Sequence, residues 1–260
     1  MSKSQLDIGE HVKEWRKRRR VTQLEVALAA GVSTRHLSFI ETGRAVPSRQ
    51  MVLHLAEYFR VPIRERNMML VSAGYAPMFM ERSLEDPALA AVQHAISLIL
   101  ERHKPYPAFA LDRHWNVVAS NRALPVLYEG IAPHLLQPPI NVMRLSLHPE
   151  GMSTRIENLP EWRAHALHRV QEHLDLSADP VLLGLHRELL SYPAPPQETT
   201  RAYDVFVPYR IQTRIGLLSF LTTTMVFGTP LDITLSELML ECFFPADRAT
   251  ADTVQALSAH

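Results

Sequence analysis

The chain has 260 residues, one cysteine, 47% hydrophobic residues, and 27 basic residues balancing 27 acidic ones. That length exceeds what one small helical core needs, nothing repeats internally, and one cysteine excludes an internal disulfide, in keeping with a reducing cytoplasm. The N-terminus is polar, and the longest uncharged stretch, 215–231, is interrupted by threonines, Gly228 and Pro230, so neither a signal peptide nor a membrane span is expected.

The balanced charge hides an asymmetry. Residues 1–75 carry 13 Lys/Arg against 7 Asp/Glu, net +6, which leaves net −6 for residues 76–260. Five of the basic residues form one run, Arg16-Lys17-Arg18-Arg19-Arg20, at the end of a first helix whose apolar stripe is Ile8, Val12 and Trp15. Thr22 and Glu25 make a capping box for a second helix carrying Leu24, Ala27 and Leu28. Gly31 then supplies a left-handed helix end, Val32 plugs the turn, and Ser33 caps a third helix. On this third helix Leu37 and Ile40 face inward. Arg35, Ser38, Phe39 and Thr42 fall on the opposite arc, with Thr34 near its edge. An outward polar face just after a glycine turn is the recognition geometry of a helix-turn-helix. Pro47-Ser48 and Val61-Pro62 open a fourth and a fifth helix, and Gly74 closes the last.

This region resembles the XRE family of lambda-repressor-like DNA-binding domains over roughly residues 6–73. The matching residues are Gln23, Ala27, Gly31-Val32-Ser33, Leu37-Ser38, Ile40-Glu41 and Gly43. The resemblance implies a five-helix domain in which Gln23, Ser33, Thr34, Arg35, Ser38 and Phe39 contact DNA, and it implies a buried pair between Arg16 and Glu41. Phe39 departs from the family pattern, where a polar residue is commoner; it either touches a thymine methyl or folds against a neighbour. Arg16, Arg18 and Arg44 join the candidates because they lie beside the groove-facing helix, within reach of phosphates.

Gly74-Tyr75-Ala76-Pro77 punctuates the chain, and a connector over 76–90, with Met78, Phe79 and Met80, is expected to pack on one of the domains. A helix follows through Leu89, Val92, Ile96 and Leu100. Residues 109–112 and 115–119 read as strands about an Arg113-His114 turn, and Asn121 is expected to open another helix. Residues 160–175 and 179–191 read as helices. From Tyr203 onward the β-branched and aromatic content, in 215–227 and 233–244 above all, suits a sheet, and Thr250–Leu257 closes the chain as a helix.

The second half, taken as a domain over 91–260, resembles the MmyB-like ligand-binding domain. The pieces that carry the likeness are Phe109-Ala110-Leu111-Asp112, the run Trp115 to Ala123, Asn141-Val142-Met143-Arg144-Leu145, and the Gly-Tyr-Ala-Pro junction. This implies an α+β, PAS-like sensor with an interior pocket for an apolar, fatty-acid-like molecule. Candidate lining residues are Phe109, Leu111, Trp115, Val117, Leu218, Phe220, Phe227 and Trp162. On the helix from Trp162, Ala166, Leu167, Val170 and Leu174 share an arc with Arg163 and His173, while His165 and His168 lie on the far side. Arg163 either grips a carboxylate head group in two-pronged fashion or lays its stem over the core and pairs with a nearby acid, and Arg144 is a second candidate of that kind.

No metal site is expected: His165 and His168 are spaced for two ligands, but a third is missing and Cys242 is remote. Glycine-rich, Walker and nucleophile-elbow motifs are absent, so no enzyme activity and no cofactor are expected. The reading is a cytoplasmic DNA-binding transcription regulator, a homodimer on a two-fold duplex operator, modulated by a small apolar ligand and without a membrane partner. The alternatives are a ligand-independent or antitoxin-like regulator whose second domain only dimerises or binds a protein, and a sensor with acyl-directed activity.

Overall fold

A computed structural model describes residues 7–123, 125–177, 179–193, 206–228 and 230–258. The chain divides into two compact units. One holds the described residues up to Glu81 with the short segments 175–177 and 231–233, and the other holds the remainder.

The first unit is five helices: α1 (Ile8–Arg18), α2 (Gln23–Ala30), α3 (Thr34–Glu41), α4 (Arg49–Tyr58) and α5 (Ile63–Ser72). Asp7 and Glu10 cap α1 reciprocally, and Thr22 and Glu25 do the same for α2. Ser33 and Ser48 accept from the amides of His36 and Met51, so α3 and α4 each begin on a hydroxyl cap worth about 1 kcal/mol. Gly31 closes α2 at φ +66°, a conformation a side chain would strain. The core beneath joins Ile8, Val12, Trp15, Val26, Leu37, Ile40, Val52, Leu55, Phe59, Met69 and Leu70. Gly9 sets how closely α1 meets α3, since a Cβ there would overlap the Ile40 carbonyl oxygen. Asn67 pins the connector to α5: its Oδ1 accepts from the Met78 and Phe79 amides, and its Nδ2 donates to the Phe79 carbonyl.

The second unit is a five-stranded antiparallel sheet in the order β2-β1-β5-β4-β3. Its strands are β1 (Ala108–Leu111), β2 (Val117–Ser120), β3 (Tyr209–Thr213), β4 (Gly216–Val226) and β5 (Met239–Pro245). The helices are α6 (Ala90–Arg102), α7 (Val142–Leu147), α8 (Leu159–Ser177), α9 (Pro180–Ser191), the single turn α10 (Ile233–Ser236) and α11 (Arg248–Ser258), the last three residues of α8 and the first of α10 being grouped with the first unit. One core, including Leu111, Trp115, Leu145, Trp162, Val170, Leu189, Phe220 and Val254, lies within this unit. A smaller cluster gathers Ile96, Leu100, Ala110, Leu240 and Cys242.

Three expectations change. The second strand begins at Val117, not Trp115, because Trp115 sits in a tight turn at φ +69°, unusual for a bulky residue. Asp112 enforces that turn, accepting from the amides of His114 and Asn116 and from the Asn116 side chain. Asn121 opens no α-helix. Its side chain instead staples the hairpin, accepting from the Ala108 amide and donating to the Leu100 and Tyr106 carbonyls, and a 3-10 turn follows at Pro125–Tyr128. The 233–244 run is not one strand, since residues 233–236 form the helical turn α10 before β5 begins. Residues 203–205 of the expected sheet region lie outside the described residues.

Candidate nucleic-acid interface and ligand cavity

The exposed face of α3 follows from its caps and its buried side. Leu37 and Ile40 are fully buried, Ser33, Thr34, Arg35 and Arg44 are exposed, and Ser38 and Phe39 are half-buried. Phe39 is a platform for charge: the Arg35 and Arg44 guanidinium carbons lie 5.3 Å and 5.9 Å from its ring centroid. Cation–π contact of this kind restrains two long side chains that would otherwise roam.

The basic run is less uniformly available than its sequence suggests. Arg16 meets Glu41 in a two-pronged pair at 2.6 Å and 3.0 Å, with 16% and 3% side-chain exposure, and also donates to the Val21 carbonyl. Arg16 thus fills the structural place and is withdrawn from the phosphate contacts expected of it. Burial pushes the Glu41 carboxyl up, but hydrogen bonds from Arg16 and Gln23 outweigh burial and hold it below the ordinary carboxylate range. Gln23 donates to Glu41 at 2.8 Å, so its amide is oriented by the same acid. Arg19 is tied to the Phe59 and Arg60 carbonyls at the end of α4. Arg18 shares itself between Glu14 and the Trp15 ring, while Lys17 and Arg20 are exposed.

In the second unit a small apolar cavity of about 70 Å³ lies among Phe109, Tyr128, Met143, Leu145, Trp162 and Ala166. That is well below the roughly 300–1,000 Å³ of a ligand pocket, so an occupant would have to spread these walls. Polar groups occupy part of its wall. Trp162 donates its indole N–H to Ser146 at 2.6 Å, and Arg169 donates to Glu241 at 2.6 Å and to Thr224 at 2.9 Å. The Arg169 guanidinium also lies 4.6 Å from the Trp115 ring centroid. A second apolar hollow shares Phe109, Tyr128 and Leu145 with the first and adds Val117, Leu136 and Ile140.

Phe109 and Trp162 therefore reach the main cavity, and Val117 reaches the second hollow. Leu111, Trp115, Leu218 and Phe220 are fully buried core residues, not part of the main cavity's wall, and Phe227 packs against the smaller cluster. Both arginines proposed for a head group are engaged elsewhere. Arg144 makes a two-pronged pair with Glu188, which also accepts from Tyr192. Arg163 donates to the Leu189 and Leu190 carbonyls at the end of α9, where a cation suits the helix terminus.

Sequence reading missed Arg169, His165 and Glu241. At about 100° per residue, Arg169 lies within about 20° of Trp162 on the helix wheel, so the signal was present. Leu167 and Leu174 drew the inferred arc round toward Arg163, whereas the cavity-facing arc runs through His165, Trp162, Arg169 and Ala166. His165 is thus corrected from the far side to the cavity wall.

His165 and His173 are both held below the ordinary histidine pKa, by burial first and by the nearby Arg169 charge second. The unfolded chain binds protons near about 6.5, while the folded histidines bind them only at lower pH. Their contribution is therefore complete above about pH 6.5 and is lost as pH falls through the lowered folded values. Denaturant midpoints measured from pH 7.5 to 5 are expected to fall more steeply for the wild type than for a His165→Gln/His173→Gln variant. Parallel curves would remove this assignment.

A helix-turn-helix head and an α+β domain with an interior cavity define a DNA-binding transcription regulator carrying a ligand-binding domain. A helix-turn-helix domain model matches residues 7–68. A model of the MmyB-like transcription regulator ligand-binding domain matches residues 92–257, most of the chain, and the chain belongs to that family. No curated protein matches it. Among the described residues no helix is long and apolar enough to cross a membrane.

Proposed function

We propose that the protein binds a two-fold operator as a homodimer through α3 and that a small apolar ligand in the second, PAS-like domain modulates this binding. The observation that carries the DNA half is the outward face of α3, where Arg35 of its first turn and Arg44 just beyond its end are held over Phe39. Such a guanidinium reads guanine in two-pronged fashion, and Phe39 serves as its support. A single helix of eight residues offers a small interface, so two copies on half-sites about one DNA turn apart supply affinity and specificity.

The ligand half rests on the apolar cavity and on its polar wall. Arg169 and Glu241 cancel in charge, so the cavity suits an apolar body with an uncharged head better than a free carboxylate. A ligand preferred by one arrangement of the dimer changes the spacing of its recognition helices, and operator affinity shifts by the same coupling energy.

Salt-titrated binding separates the roles on the DNA side. Arg35→Ala is expected to cost about 1–3 kcal/mol on the operator and little on random duplex, whereas Arg18→Ala weakens both and lowers the salt slope by about one. Identical behaviour of the two variants would sink the division into base reader and phosphate contact. A regulator without a ligand is the competing reading, and native mass spectrometry of gently purified protein distinguishes it by the absence of a bound small molecule.

A further inference from the structure

Away from the cavity, one cluster of side chains has the composition of a metal site. His134, in a 3-10 turn at Pro133–Leu136, meets His148 and Glu150 just beyond the end of α7. One ligand atom from each lies within 4.8 Å of the others, and among the described residues no other group of three His, Cys, Asp or Glu side chains does this. His134 Nε2 is already 3.9 Å from Glu150 Oε2.

The backbone holds these groups together. The Ala132 amide donates to the Glu150 carbonyl at 3.0 Å, fastening the two segments directly beside the cluster. The Met152 amide donates to Leu145 and the Gly151 amide to His148, and a Cβ on Gly151 would overlap the Leu145 carbonyl, so the loop is folded tightly on the end of α7. The His148 ring is lodged edge-on between His134, at 5.6 Å, and Tyr192, at 5.0 Å. A tetrahedral ion with bonds of about 2.0–2.2 Å needs its ligand atoms about 3.3 Å apart. Closing from the present separations requires only side-chain rotation, and His134 and Glu150 are 57% and 65% exposed and able to rotate.

We propose that His134, His148 and Glu150 bind one divalent cation of borderline softness, zinc above all. Two imidazoles and one carboxylate are the donors such ions prefer, whereas magnesium and calcium favour oxygen alone. A fourth position stays open to water. Binding at His148 gives up the hydrogen bond its Nδ1 accepts from the Glu150 amide, a small cost beside a metal–nitrogen bond. The ion would clamp the 3-10 turn to the end of α7.

Calorimetric titration of the full chain with zinc chloride tests this. The expected result is one equivalent bound by the wild type, no binding of magnesium, and affinity at least about tenfold weaker in both His134→Ala and Glu150→Gln. Zinc should raise the thermal midpoint of the wild type more than that of His134→Ala, because binding to the folded state stabilises it. Circular dichroism verifies that this exposed substitution leaves the fold intact. Absence of a zinc equivalent in the wild type overturns the proposal. Equal affinity in the wild type and His134→Ala also overturns it, because the ion would then sit on other histidines.

Discussion

Glu41→Ala is expected to destabilise the N-terminal unit by about 3–5 kcal/mol, the range for breaking one side of a buried ion pair. Glu41 is 3% exposed in its side chain and accepts both prongs of Arg16 together with the Gln23 amide. Its removal leaves the Arg16 guanidinium, 16% exposed, with the Val21 carbonyl as its one hydrogen-bond acceptor among the described residues. Domains have only about 5–15 kcal/mol of total stability, and a small helical one sits low in that range, so the head should be largely unfolded at moderate temperature. The pair joins α1 to the end of α3, so the damage should centre on the recognition helix. Hydrogen exchange read peptide by peptide is the suitable probe, since two compact units need not unfold in one step. Replacing both partners by apolar residues, Arg16→Met with Glu41→Leu, should recover most of the loss. Acid gives an independent check. The Glu41 pKa is depressed in the folded state, so its contribution is present above the ordinary carboxylate pKa of about 4.3 and is lost as pH falls through the lower folded value. A loss under about 1 kcal/mol in Glu41→Ala would mean that Arg16 finds adequate partners without it.

What was legible in the chain divides by the range of the forces involved. The caps Thr22–Glu25 and Ser33 and the left-handed Gly31 are local chemistry, and each appears where its spacing placed it. The family model over residues 7–68 agrees. The Arg16–Glu41 pair came from resemblance, not spacing, since 25 residues separate its members. In the second unit the longer helices α6, α8 and α9 were readable and β-branched content pointed to the sheet, but α7 went unread, and the rotation of α8 was not legible because tertiary packing fixes which arc meets the cavity. Asn121 shows a second kind of limit. An asparagine that caps a helix and one that staples a hairpin use the same carbonyl and amide groups, and only the fold decides between them. The turn at Ile233–Ser236 lies in a run whose β-branched and aromatic residues suit a strand, although Thr234, Ser236 and Glu237 interrupt its apolar character. His134, His148 and Glu150 carry no pattern at all in sequence; a backbone hydrogen bond between two loops brings them together.

Ala166→Phe should remove ligand response while sparing DNA binding. Ala166 is 2% exposed, sits one helical turn beyond Trp162, and lines the cavity with Arg169 and Leu145. A benzyl group there occupies the space an apolar ligand would take. The cavity, at about 70 Å³, takes the ring only if its walls give, so a stability cost of about 1–3 kcal/mol is expected and circular dichroism must show the fold retained. Ligand affinity should fall at least about 100-fold, equivalent to about 2.7 kcal/mol. Dodecanoate and dodecanol are suitable probes because they share a chain and differ in head-group charge, and dodecanol is expected to bind wild type better given the Arg169–Glu241 pair. Operator affinity without probe should match the wild type, while any shift on adding probe should vanish, since a ligand moves an equilibrium only by its differential affinity. Equal probe binding by wild type and Ala166→Phe would place the site elsewhere than between α7 and α8. If the wild type binds neither probe, the apolar-ligand reading loses its support and the ligand-independent regulator takes its place.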